Sequence, residues 1–296
     1  KILYKPFKRI DTYGRGFTLY NLLDNIEVDR DNIEEKLKDN YFDLVIFGSI
    51  QRQVALYIKY KKYLNEGKTL LFDGEDTAAL FSYHGYYWRK FSYWFIPRPN
   101  KRFIYFKREW TPDTKFYRYY KVIPKAILDL FPEPKNLRTI SFSIPEEKIV
   151  NSLPVKTKLF PKHIVDPEVA AKVEGSLTRY AFENEADYYS DLQSSKFGIT
   201  TKRAGWDCMR HYEIAANGAV ICFKDLDKKP VTCAPHGLIP GVNCISYKNY
   251  DDLMDQILKI SDEKYNALQG ASLNWIKNNT TIKKAQNLIQ NLNMRK

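Results

Sequence analysis

Long apolar runs are missing from this 296-residue chain. None approaches the roughly 18 residues a membrane span needs, and no signal-peptide-like segment follows Lys1, so neither a span nor a route to secretion is expected. Cysteine is scarce as well. Cys208, Cys222, Cys233 and Cys244 show no C-x-x-C spacing, which argues against a disulfide framework or a metal site and for thiols of a reducing compartment. In such a compartment the sequons Asn278-Asn-Thr280 and Asn279-Thr-Thr281 are inert. Walker A, G-x-G-x-x-G, H-E-x-x-H and G-x-S-x-G patterns are all absent. Kinase, dehydrogenase, zinc-protease and esterase readings therefore lose their usual support. There is no internal repeat and no low-complexity tract.

Positive charge is in excess. Lys and Arg number 47 against 35 Asp and Glu, a net charge of +12 and a pI near 9.3. That excess points to an anionic partner without choosing among nucleic acid, anionic lipid and a sugar diphosphate. With 44% hydrophobic and 28% charged residues the chain reads as a soluble globular protein, long enough for two α/β domains with separate cores.

Strand-like and helix-like segments alternate along it. Residues 2–4 begin like a strand, a glycine-containing turn at 12–16 leads to a helix near 18–23, and residues 32–39 form a charged helix. Apolar runs at 42–47, 69–72 and 103–106 read as buried parallel strands, with helices predicted over 54–64 and 121–130. This spacing means a doubly wound sheet. Two prolines in residues 131–136 mark a linker between domains, so residues 139–143 should open a second sheet. A Pro/Lys-rich connection at 154–162, a strand near 177–182 and a helix over 185–193 follow, and helices at 251–259, 263–277 and 281–291 finish the chain.

The most informative stretch is residues 196–223. Phe197 to Thr200 is a β-prone run, Lys202-Arg203-Ala204-Gly205 a turn, and Asp207 stands where a helix cap is expected. Asn217-Gly218 tolerates the left-handed geometry that ends a helix. Trp206, Arg210, Glu213 and Asn217 share one face of that helix, while Ile214 and Ala215 turn toward a sheet. A helix start beside Lys202 and Arg203 suits a phosphate, and Glu213 is placed to accept hydrogen bonds from ribose hydroxyls. The bland alternative is a solvated basic loop with Glu213 paired to Arg210.

The pattern Arg210-x-x-Glu213-x-x-Ala216-x-Gly218-Ala-Val resembles the donor-site segment of GT-B glycosyltransferases, in particular the family-4-like and spore-maturation-type groups. The resemblance continues through Gly241-Val-Asn-Cys-Ile-Ser-Tyr247, Asp252-Leu253, Trp275 and Asn279-Thr280-Thr281, covering about residues 176 to 294. It implies an α/β fold of two Rossmann-like domains facing a cleft: an acceptor-side domain over residues 1–134, a nucleotide-sugar-binding domain over 135–280, and a C-terminal helix, 281–296, crossing back to the first. It also implies transfer of a sugar from a nucleotide-sugar donor to a glycan or lipid-linked acceptor, as in surface polysaccharide or glycoconjugate synthesis, without metal or other cofactor. The donor site would be Thr201, Lys202, Arg203, Gly205, Asp207, Arg210, His211 and Glu213. One position departs from the family. Retaining family-4 enzymes carry a second Glu eight residues before the ribose-binding one; here that position is Gly205, with Asp207 the nearest carboxylate, so retention and inversion both stay open.

Two further features bear on function. Asp73-Gly-Glu75-Asp76 follows a strand directly, where open α/β sheets present ligands, so Glu75, Asp76 or nearby His84 could take the acceptor's proton; helix-capping carboxylates are the alternative. The triplets Asp225-Leu-Asp227 and Asp29-Arg-Asp31 have no metal-site context. Residues 81–121 hold 17 of the 44 aromatic residues and ten Lys or Arg. Trp88, Arg89, Lys90 and Trp94 within them suit an acceptor cleft or an anionic membrane surface, and an aromatic core element is the alternative. The expected location is cytoplasmic, peripheral on the inner face of the membrane, with no nucleic-acid partner. The rival class is a non-catalytic protein binding anionic lipid or single-stranded nucleic acid through residues 81–121.

Overall fold

The computed structural model describes residues 31–80, 99–116, 124–130, 132, 134–179 and 182–293. Two parallel sheets organise them. The first runs β1 (Val45–Phe47), β2 (Thr69–Asp73), β3 (Ile104–Lys107) and β4 (Leu137–Thr139) in that spatial order, every neighbour parallel. The second runs β5 (Phe197–Thr201), β6 (Val220–Lys224) and β7 (Cys244–Tyr247), again parallel.

Period-two alternation sends successive residues of each strand to opposite faces, and both faces are covered. In β2, Leu71 enters a core with α1 (Ile33–Lys38) and α2 (Val54–Tyr60), while Leu70 joins Ile104 and Phe106 on the other face. That second face receives Leu288 from the last helix, α9 (Thr281–Asn293). In β6, Ile221 and Phe223 pack against α5 (Glu185–Ser194), α6 (Met209–Ala216) and α8 (Asp262–Lys277); Val220 and Cys222 face the core of α4 (Pro167–Lys172) and α7 (Tyr250–Lys259). Side-chain caps set three of these helix starts: Asn184, Asn249 and Ser261 each accept from a backbone N–H three residues on. The short α3 (Lys125–Leu128) lies between β3 and β4.

Two expectations are corrected. Residues 139–143 do not open the second sheet: Thr139 pairs with Lys107 and ends the first one. Leu137, 3% exposed, is drawn into the core of Tyr105 and Leu71, and the prolines precede β4 instead of dividing the sheets. The crossing comes later, and Ile144 makes an isolated bridge to Thr280 beside the start of α9. Of the strand expected near 177–182, residues 180 and 181 lie outside the described residues, and the described part makes a single bridge between Leu177 and His163. Leu177 is 47% exposed, so no apolar burial holds an extended run there. The expected strand at 2–4 and helix at 18–23 lie outside the described residues. No helix among the described residues is long and apolar enough to cross a membrane.

Candidate functional site

The carboxyl ends of the two sheets meet. Beyond β2 come Gly74, Glu75 and Asp76, and beyond β3 come Arg108, Glu109 and Trp110; both runs touch the loop between β5 and α6. Arg108 is the hub. Its guanidinium donates to Gly74 O (3.0 and 2.7 Å) and to Asp207 O (2.6 Å), and pairs with Asp76. Glu109 answers from the same strand end: its Oε1 accepts the backbone N–H groups of Trp206 (2.9 Å) and Asp207 (3.1 Å). Burial pushes the Glu109 carboxyl above its ordinary pKa, and those two donors, then Arg108, pull it back. Gly205 allows the close approach, since a Cβ there would stand 2.6 Å from Glu109 Oε1 and 2.7 Å from Asp76 Oδ1.

Asp207 does not cap α6. Cys208 holds that position without a side-chain capping bond, and the Asp207 carboxylate instead accepts Phe142 N (2.8 Å) and the Tyr212 hydroxyl (3.0 Å). A tertiary demand, satisfying the chain as it crosses toward the second sheet, outweighs the local cap. The expected helix end stands, with Asn217 as C-cap and Gly218 at φ +69°.

The remaining expected donor residues divide into an outer and an inner set. Thr201 ends β5, and Lys202 and Arg203 are exposed, Lys202 Nζ lying 5.1 Å from the Trp206 ring centroid. Arg210 is half-buried, and its Nε and Nη1 are closed off without a hydrogen-bond partner. Beside it His163, 6% exposed, is held neutral down to about pH 4, first by burial and next by the Arg210 charge, with Arg203 adding to it. Glu213 is buried and accepts the Tyr188 hydroxyl at 2.9 Å, so α5 fixes its carboxylate. His211 faces inward: its ring is fully buried, bonds Thr200 Oγ1 (3.0 Å) and Trp206 O (2.9 Å), and stacks on Phe223. The partly buried Cys208 thiol lies 3.5 Å from His211 Nε2; burial raises its pKa, but His211 and Arg210 outweigh that and bring it down to about 7.

On the first sheet, Glu75 accepts Gln51 Nε2 at 2.9 Å and lies 3.5 Å from Arg52, and Asp76 is held by Arg108. His84, Trp88, Arg89, Lys90 and Trp94 lie outside the described residues. Of the aromatic basic stretch, β3 and the residue before it are core: Phe103, Tyr105 and Phe106 are at most 3% exposed, and Lys107 is sealed against Asp73 at 3.0 Å. Sequence reasoning missed Arg108, Glu109 and His163. The first two were within its reach, since they follow a parallel strand as Glu75 and Asp76 do. No local signal marks His163. No cluster of potential metal ligands occurs among the described residues.

No family model matches the chain, and no curated protein sequence does. Among solved structures, the crystal structure of a glycosyltransferase from Rickettsia africae ESF-5 matches with a TM-score of 0.53 at 12% identity, over 90% of this chain and 83% of that one. At that identity the likeness is one of fold: this chain has the Rossmann-like α/β architecture, with parallel sheets, seen in that glycosyltransferase.

Proposed function

We propose that this chain is a GT-B glycosyltransferase that moves a sugar from a nucleotide-sugar donor to a glycan or lipid-linked acceptor, with a nucleoside diphosphate as the leaving group. The observation that carries the reading is Arg210, whose closed-off Nε and Nη1 lack partners and whose charge, with that of Arg203, acts on His163. Guanidinium nitrogens closed off without an acceptor are costly unless a ligand supplies one, and a diphosphate does so bidentately. Lys202 and Arg203 extend the positive field over the same loop, where negative charge develops as the diphosphate leaves; the reading needs no metal. Glu213 takes the ribose. Glu75 and Asp76, at the end of β2, are the described candidates for the acceptor's base, and His84 is the third. The first sheet is the acceptor side, the second the donor side, with the division after Thr139 instead of at residue 134, and α9 returns to the first.

Thermal melts with millimolar uridine or guanosine diphosphate, in EDTA, test this. A ligand at a hundred times its Kd adds about 2.7 kcal/mol to the native state. Wild type should melt higher with nucleotide. Arg210→Met should melt no lower than wild type without nucleotide, because it removes an uncompensated group, and should lose the nucleotide shift. Identical wild-type curves with and without nucleotide would remove the reading; a variant that melts lower yet keeps the shift would make Arg210 structural.

A further inference from the structure

The four cysteines stand in two different environments. Cys222, Cys233 and Cys244 are 0% exposed; burial pushes Cys233 and Cys244 up to about 12 and raises Cys222 well above its ordinary value. Cys208 alone is only partly buried. It holds the cap position of α6 with an extended backbone (φ −152°, ψ 157°), and the helix does not use its sulfur as a cap.

What the sulfur meets is an imidazole ring. Sγ lies 3.5 Å from His211 Nε2 and 3.9 Å from Nδ1, with Thr200 Oγ1 of β5 at 4.0 Å. The ring is anchored independently of the thiol: Nε2 bonds Trp206 O at 2.9 Å and Nδ1 bonds Thr200 Oγ1 at 3.0 Å. A carbonyl oxygen only accepts, so Nε2 keeps its proton, while the Thr200 hydroxyl can donate to a bare Nδ1 or accept from a protonated one. The fully buried imidazole can therefore take a positive charge without losing a hydrogen bond. A buried cation needs a counter-charge, and the Cys208 sulfur, as thiolate, provides one at 3.5 Å. Burial raises the pKa of this thiol, but His211 and then Arg210 outweigh it against the opposing Asp207, and bring it down to about 7. The Asp207 carboxylate is itself engaged by Phe142 N and Tyr212, and the Tyr212 hydroxyl stays neutral. Burial lowers His211 in turn, and the Cys208 sulfur prevails over it.

We infer that Cys208, paired with His211, is a thiol–disulfide exchange site that takes an anionic low-molecular-weight disulfide. The thiolate sulfur attacks one sulfur of that disulfide; a new S–S bond to Cys208 forms as the old one breaks, and the other half departs as a thiolate that takes its proton from water. Cys208 is oxidised and the departing half is reduced, so the disulfide itself is the only oxidant required. The preference for negative charge comes from Lys202 and Arg203, exposed on the loop leading to Cys208, and from Arg210 two residues beyond it. A carboxylate-bearing adduct on Cys208 would occupy the loop assigned to the diphosphate. That consequence rests on the donor-site reading, whereas the exchange does not.

The test is reaction of the full chain with dithiobis-nitrobenzoate and with glutathione disulfide, in wild type and Cys208→Ser, with the wild-type adduct located by peptide mass mapping. Native wild type should release one thiolate per chain quickly, and the other three cysteines should react only on denaturation. The pH–rate midpoint should fall near 7, a pH at which an ordinary thiol of pKa about 8.5 is only about 3% ionised. Cys208→Ser should lose the fast phase and melt no lower than wild type, since serine is the better helix cap. With each rate normalised to that of free N-acetylcysteine, glutathione disulfide should outpace cationic cystamine by about tenfold at low salt, and added salt should narrow the gap. Wild type carrying the glutathione adduct should lose the nucleotide-induced rise in melting temperature and regain it on reduction. An adduct that leaves that rise intact would remove the link to the donor loop, and unmodified protein without any such rise would count against the donor-site reading alone. A fast phase that survives in Cys208→Ser, an adduct mapped to another cysteine, a midpoint above about 8, or a normalised cystamine rate above that of glutathione disulfide would each overturn the assignment.

Discussion

Gly198→Ala should be among the most damaging single-methyl additions in this chain. Gly198 is buried in β5, and a Cβ there would lie 2.5 Å from Ile214 Cγ2, 2.6 Å from Cγ1 and 2.9 Å from Cδ1. Carbon atoms pack best at about 3.5–4.0 Å, so α6 must retreat by roughly 1 Å or Ile214 must leave its rotamer. Ile214 is 1% exposed within the core of Tyr212, Ile221 and Phe223, and has nowhere open to go. Overpacking of this kind costs about 1–3 kcal/mol. Truncating Ile214→Ala alone should cost about 2–5 kcal/mol through the cavity it leaves. In the double variant the new methyl enters part of that cavity, so the combined loss should fall short of the sum by about 1–2 kcal/mol. Urea unfolding followed by circular dichroism reads this directly: at a slope of about 3 kcal/mol/M, Gly198→Ala lowers the midpoint by about 0.3–1 M. Strict additivity, or an unchanged midpoint for Gly198→Ala, would show that α6 does not rest on β5 through this contact.

Two other outcomes follow from buried charge. Asp73→Asn should destabilise by about 3–5 kcal/mol, because it leaves the fully buried Lys107 ammonium uncompensated, and Asp73→Asn/Lys107→Met should recover much of that; chemical denaturation of both variants is the check. His163, held neutral down to about pH 4 in the folded state, makes stability fall as pH drops. Above about 6.5 neither state is protonated, between 6.5 and 4 only the unfolded chain takes the proton, and below 4 the loss levels off at about 3 kcal/mol. His163→Gln should flatten that part of the stability profile relative to wild type, and parallel profiles would refute the placement of His163.

Local chemistry in the sequence was enough to set the repeating unit. Apolar runs of strand length at 69–72, 103–106 and 197–200 specify parallel strands buried on both faces, and Asn217-Gly218 ends α6 wherever that helix packs. The same chemistry placed Asp76 and the Lys202–Arg203 loop at strand carboxyl ends. Other outcomes depended on partners distant in the chain. Thr139 joined the first sheet because Leu137 completes a core with Tyr105, more than thirty residues away. Asp207 gave up its cap for Phe142 N and Tyr212, and Arg108 reached 99 positions along the chain to its carbonyl. A side chain's propensity is worth a fraction of a kcal/mol to about one, whereas an unsatisfied buried polar group costs about 1–3 kcal/mol. Periodicity therefore decides which elements form, and the satisfaction of buried charge across the two sheets decides which residues meet between them.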